Sequence, residues 1–298
     1  MNVKSIAGMG ARIFALAVMD LVIMSAAGAA LSFGVPADAG AEPAALFAGL
    51  ALVASVDAIV AALIVLSSRW SGWGLAGAVA FSMIGVTGVM PVSEAAWFGP
   101  ALGITPGMIP GLILPQIAGG IVFAPLAVWI LGRFKRADAS PGSALKIGKA
   151  MPQMHWTWHS WAWRLSMIAV VYFLLYYSFG LLIAWQNPAL RSMYNAPANP
   201  QLYDLSRLLP LQLIRALLWT AFALTVVRGS RGAPWRIACL TGLLLALPMN
   251  IGLVLPNPFM PDPSVRMSHF IETTSSNFLF GLFITWLLYR PRAVARLT

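Results

Sequence analysis

Charge is what this chain has least of. Only 9% of its 298 residues are Asp, Glu, Lys or Arg, against 59% hydrophobic, and this leaves too little polar surface to cover a soluble domain of that size. Cysteine is nearly absent as well. Cys239 stands alone, which excludes an intrachain disulfide and any Cys-rich metal centre. The sequence also lacks a Gly-rich phosphate loop with its Lys, an HExxH, a GxSxG and the paired glutamates of intramembrane proteases, so the common nucleotide-binding and hydrolytic chemistries have no motif here.

What is present is hydrocarbon. Eight apolar runs lie near 12–34, 44–67, 72–93, 108–132, 164–186, 208–227, 236–256 and 268–289, each close to the roughly 20 residues a helix needs to cross ~30 Å of lipid. The expected fold is an all-α integral membrane bundle of about eight transmembrane helices. A cleaved signal peptide would fit Lys4, Arg12 and the small residues of "SAAGAA", but the apolar part is too long and contains Asp20, so the first run is expected to remain as a helix.

Basic residues set the orientation. With the N-terminus inside, the cytoplasmic segments hold Lys4, Arg12, Arg69, Arg133, Lys135, Arg136, Lys146, Lys149, Arg164, Arg228, Arg231, Arg236, Arg290, Arg292 and Arg296, fifteen of the 19 Lys and Arg. Arg191, Arg207, Arg215 and Arg266 fall in or near the opposite loops. This asymmetry predicts N-in, C-in topology. The net charge of +10 then serves attraction to anionic headgroups at the cytoplasmic face. No basic stripe with interleaved stacking aromatics points to nucleic acid.

The longest polar interruption, 133–163, divides the chain into a first four-helix half at 1–132 and a second at 164–298. A faint echo between them lays Phe123, Trp129, Leu131 and Arg133 of "FAPLAVWILGR" on Phe280, Trp286, Leu288 and Arg290 of "FLFGLFITWLLYR". A parallel repeat of the kind some transporters use would produce it, and so would any two helices that end at the same interface. Inside the interruption, "HWTWHSWAW" puts His155 and His159 at i, i+4, on one helical face if the stretch is helical. Two ligands do not complete a metal or haem site, and His269 belongs to the other side of the membrane. The four tryptophans and Arg164 suit an interfacial belt. No metal and no cofactor is expected.

The eighth run begins unlike the others. In "RMSHFIETTSSNFLF", residues 266–280, a projection at 100° per residue gathers Arg266, His269, Glu272, Thr273, Ser276 and Asn277 within roughly 140°, with Ile271, Phe278 and Leu282 opposite. A polar face on a membrane helix must turn toward other helices or water. Arg215, roughly 10 Å deep on the sixth run, is the natural partner for Glu272, and Glu94 and Arg191 end at the same side, with Gln212 and Asn250 adding amides. Substrate contacts are therefore expected from Glu94, Arg191, Arg215, Arg266, His269, Glu272 and Asn277.

A second polar set lies toward the cytoplasm. Asp20 and Asp57 each fall roughly 12–15 Å from the inner boundary on adjacent runs, where two carboxylates in low dielectric would share a proton. They are the candidates for proton or cation coupling.

Two stretches of the second half, "FGLLIAWQNPALRSMYN" and "LVLPNPFMPDPSVRMSHFIETTSSNFLFG", resemble segments of uncharacterised bacterial multi-pass inner-membrane proteins. The resemblance implies a bacterial cytoplasmic membrane and transfers no catalytic residue. Three functions follow. A permease for a small polar or anionic solute or lipid would use both polar sets, with Pro and Gly at 99–120 loosening the helices between them. An assembly or sensor subunit, with an oligomeric or protein partner, needs no chemistry from them. An intramembrane enzyme on a lipid-linked substrate would take His269 as general base, oriented by Glu272 or Glu94, with Arg215 or Arg191 on a phosphate.

Overall fold

The computed structural model describes residues 3–36, 42–134, 156–194 and 205–289, and among them there are helices, short connections and no strand. In chain order these are α1 (Val3–Leu31), α2 (Pro43–Ser67), α3 (Gly72–Ile84), α4 (Met90–Leu102), α5 (Ile109–Ile130), α6 (Trp158–Leu182), α7 (Pro188–Tyr194), α8 (Leu205–Gly229), α9 (Pro234–Asn250) and α10 (Pro263–Leu288). The chain is an all-α multi-pass membrane bundle. Among the described residues, seven spans are long and apolar enough to cross a membrane. The helix α10 is 26 residues long, and its polar first half is what sets it apart from them.

Several ends follow local rules. Proline opens α2, α9 and α10, where its missing N–H is no loss and its φ is already helical. Asp262 caps α10 by accepting from the Ser264 amide at 2.7 Å. That bond favours the charged carboxylate and holds its pKa below the usual range. Thr157 caps α6, so the Trp-rich stretch expected as loop is in fact the first turns of a helix. His159 lies on that helix, while His155 precedes the cap and lies outside the described residues.

Helix ends gather at two faces. At one, the α2–α3 and α8–α9 turns bond each other through their backbones, Arg69 N to Gly229 O and Arg231 N to Ser67 O, both at 2.7 Å. Arg69 donates from Nη2 to Ser230 O at 2.6 Å and Arg133 from Nη2 to Ser68 O at 2.5 Å. Arginine guanidinium groups thus satisfy carbonyls that the helix ends leave open. Nearby burial and the like charge of Arg231 push the Arg133 pKa down. Trp73, Trp129, Trp158, Trp235 and Trp286 all expose most of their surface at this same end, and Arg164 lies over the Trp156 and Trp163 rings at 4.1 and 4.3 Å. Exposed tryptophans beside arginines are the composition that suits a membrane interface.

The lipid-facing shell is apolar: Phe14, Val22, Phe47 and Leu182 are among the most exposed large side chains. Inside, α1 packs on α2 and α5, α3 on α5, and α9 on α10 and α2. Contacts between α3, α4 and α8 join the first and second stretches of the chain. In the suspected repeat, Phe123 and Leu131 are buried and Trp129 exposed, as are Phe280, Leu288 and Trp286. Helical spacing alone produces this, since i and i+8 share a face and i+6 points away from it.

The tightest crossing is α9 on α10. A Cβ on Gly281 would meet the Gly242 backbone N and Cα at 2.6 Å, so the two glycines let main chains touch, the packing that replaces hydrophobic drive within lipid. Gly281→Ala should lower thermal stability in detergent by about 1–3 kcal/mol, the usual cost of overpacking. Gly74, whose Cβ would meet nothing, is the control. Gly74→Ala should be neutral or mildly stabilising through helix propensity, and equal shifts for the two variants would contradict this packing.

Candidate functional site

The site forms where one helix loses its regular winding. Between α3 and α4 the chain makes a π-turn over Gly85–Val89, the kind of interruption that often marks functional positions. Pro91, which has no N–H, follows directly and cannot bond back to Thr87. Gly85 and Gly88 bring this turn against Phe222 of α8 and Gln116 of α5, where an added Cβ would collide or press. The displaced turn leaves space on both of its sides.

On one side is a cavity of about 590 Å³ walled by α4, α5, α6, α9, α10 and their connections. Glu94, His269 and Glu272 reach it, and so do Tyr176, Tyr177 and Trp185. Behind it, Arg215 is 3% exposed and donates to Glu94 Oε1 in an ion pair. Glu272 pairs within its own helix instead, its Oε2 lying 3.1 Å from His269 Nδ1. The expected Arg215–Glu272 pair is thus replaced by two others, because the π-turn carries Glu94 toward α8 while the i, i+3 spacing on α10 offers Glu272 a nearer partner.

On the other side is a cavity of about 460 Å³ between α1, α2 and α5, with Asp20 and Asp57 in its wall. Both acids are buried, at 5% and 6% exposed, and line the same cavity from adjacent packed helices. Asp20 Oδ2 and Asp57 Oδ1 have no hydrogen-bond partner among the described residues. Pro115 of α5 deprives the Gly111 carbonyl of its helical donor, and both residues line this cavity.

Thr87, Leu112 and Gln116 line both cavities. Thr87 and Gln116 are not among the residues that helical projection or charge singles out in the sequence. Their signal was a lone hydroxyl in "GVTGVMP" and a lone amide in "LPQIAGG", each beside the Pro and Gly that soften the helix.

The remaining expected site residues lie elsewhere. Arg266 is tied to its own loop, donating from Nη1 to Met260 O and Pro261 O at 2.8 and 2.7 Å. Arg191 sits on α7 and is exposed. Asn277 is buried at 6% exposed but does not line the cavity. No described arginine or lysine lines it, so the anionic solute expected from the sequence would find no cation in the described wall. Gln212, three residues before Arg215, is 1% exposed, and neither of its amide atoms has a partner among the described residues. No group of three or more His, Cys, Asp or Glu among the described residues could hold a metal ion.

The class these features define is a helical membrane protein with two adjoining cavities, one with the buried pair Asp20 and Asp57 in its wall and the other with buried Glu272 and half-buried Glu94. No protein-family model matches the chain, and no curated protein and no solved structure matches it either.

Proposed function

We propose that the protein is a permease of a bacterial cytoplasmic membrane, with the larger cavity as solute site and Asp20 and Asp57 as its proton station. The observation that carries this reading is the shared wall: Thr87, Leu112 and Gln116 border both cavities, so the cavity that holds the acids adjoins the solute site. Burial of two carboxylates without full hydrogen bonding is costly in lipid, and a proton-carrying step gives that cost a use. Solute sites lined by interrupted helices are what secondary transporters employ, and the π-turn at Gly85–Val89 is such an interruption.

The test is proton movement in proteoliposomes loaded with a pH-sensitive dye and offered a panel of small solutes and amphiphiles. At least one solute should drive protons that protein-free vesicles do not move. If none does, and a lipid-linked substrate is turned over instead, the enzyme reading replaces this one. That second reading has one observation in its favour, the His269–Glu272 contact, which has the form of a base and its orienter. The third, an assembly or sensor subunit, has no feature of its own here.

Orientation is a separate prediction. The arginine- and tryptophan-rich end should face the cytoplasm, so a reporter that works only outside the cytoplasm, fused after Ser143, should be silent. The same reporter within 195–204 should be active, and signals of the opposite sense would invert the topology.

A further inference from the structure

We propose that the larger cavity selects lipophilic organic cations, molecules with one positive charge on an apolar, aromatic-sized body. This rests on the permease reading of the same cavity and names its solute class. Three observations carry it.

The first is the sign of the facing charge. Glu94 and Glu272 line the cavity, while Arg215 stands behind Glu94 and pairs with it. Glu94 and Arg215 offset each other, which leaves Glu272, in contact with His269, as the acid of the wall that no described Arg or Lys pairs with. Glu272 is 7% exposed, so a solute that reaches it meets a carboxylate largely shielded from water, where attraction to a cation is weakly screened.

The second is the surrounding wall. Phe98, Tyr176, Tyr177, Trp185 and Phe259 line it, and aromatic residues attract cations over their ring faces by their quadrupoles, more strongly when water is excluded. An anion would meet the acids with the wrong sign and no described Arg or Lys in the wall. The third is size: about 590 Å³ lies within the range of pockets that enclose drug-sized molecules, and is far more than an inorganic ion or a single water chain requires.

The test uses two ions of the same shape and opposite charge, tetraphenylphosphonium and tetraphenylborate, titrated calorimetrically into the purified full-length protein in an uncharged detergent, with empty micelles as blank. Saturable binding of the phosphonium should be at least about tenfold tighter than that of the borate. Glu272→Gln should weaken phosphonium binding by about tenfold. Gly180→Leu should remove it by filling the cavity, because a Cβ at Gly180 already points to within 3.5 Å of Glu272 Oε1.

Equal or tighter binding of the borate overturns the proposal, as does phosphonium binding that neither substitution changes. Melting curves check the variants, and should Glu272→Gln fail to fold, the two ions on the unaltered protein and on Gly180→Leu still decide. Phosphonium binding with no solute-driven proton movement would remove the permease reading and leave this inference standing. Proton-coupled uptake of an anion without phosphonium binding would do the reverse.

Discussion

Glu94→Leu should destabilise the protein in detergent by about 3–5 kcal/mol, the usual cost of stranding one partner of a buried ion pair. Arg215→Leu should cost less, because the two side chains are unequally placed. The Arg215 side chain is 4% exposed and that of Glu94 32%, so a lone Glu94 keeps contact with water, whereas a lone Arg215 stays enclosed with a charge it cannot readily shed. The double variant should cost less than the sum of the two, by about 1–3 kcal/mol of coupling. Glu272→Leu combined with Arg215→Leu is the contrasting pair and should come closer to additivity, since Glu272 is engaged by His269. Thermal shifts that add strictly for Glu94 and Arg215, and not for Glu272 and Arg215, would mean that the pairing deduced from the sequence is right and the one described above is not.

In proteoliposomes, Asp57→Asn should abolish coupled uptake of whatever solute the unaltered protein moves, while leaving the melting curve cooperative. Asparagine keeps the size of aspartate and much of its hydrogen bonding but cannot take up or release a proton at working pH. Removing a buried carboxylate that lacks a partner for Oδ1 should also relieve a desolvation cost, so the variant is expected to be at least as stable as the parent. Asp20→Asn should impair coupling in the same direction, and the double variant should be no worse than the more damaging single one if the two acids act as one station. Unchanged coupled uptake in all three variants would exclude these acids as the coupling site and leave the smaller cavity without a role in transport.

The pairing of Glu94 with Arg215 illustrates what a linear reading misses. The sequence places both residues toward one side of the membrane, and counting at 1.5 Å per residue gives the depth of Arg215. Which charge met which depended on rotation about the helix axes, and that rotation is altered by the π-turn at Gly85–Val89. An extra residue in one turn shifts every following side chain by about 100°, and nothing in "GVTGV" announces it except the nearby proline. Arg266 shows the same limit in another way. It lies on the polar arc of α10, yet its guanidinium turns back to Met260 O and Pro261 O, because the loop before a helix leaves carbonyls that a long donor can reach.

Composition and the spacing of apolar runs determined the class and the approximate spans, because a chain with so few charges can satisfy its backbone in lipid only by helices long enough to cross it. The same linear information placed Asp20 and Asp57 at similar depth and gathered the polar face of α10, since depth and helical face are both properties of a single helix. Neighbour relations are not. That the two cavities share Thr87 and Gln116, that Glu94 rather than Glu272 receives Arg215, and that arginines stand behind or away from the larger cavity were decided only by tertiary packing. The physical reason is that contact between helices depends on their rotation, tilt and local unwinding, which close approach at Gly85, Gly88, Gly242 and Gly281 sets jointly for the whole bundle.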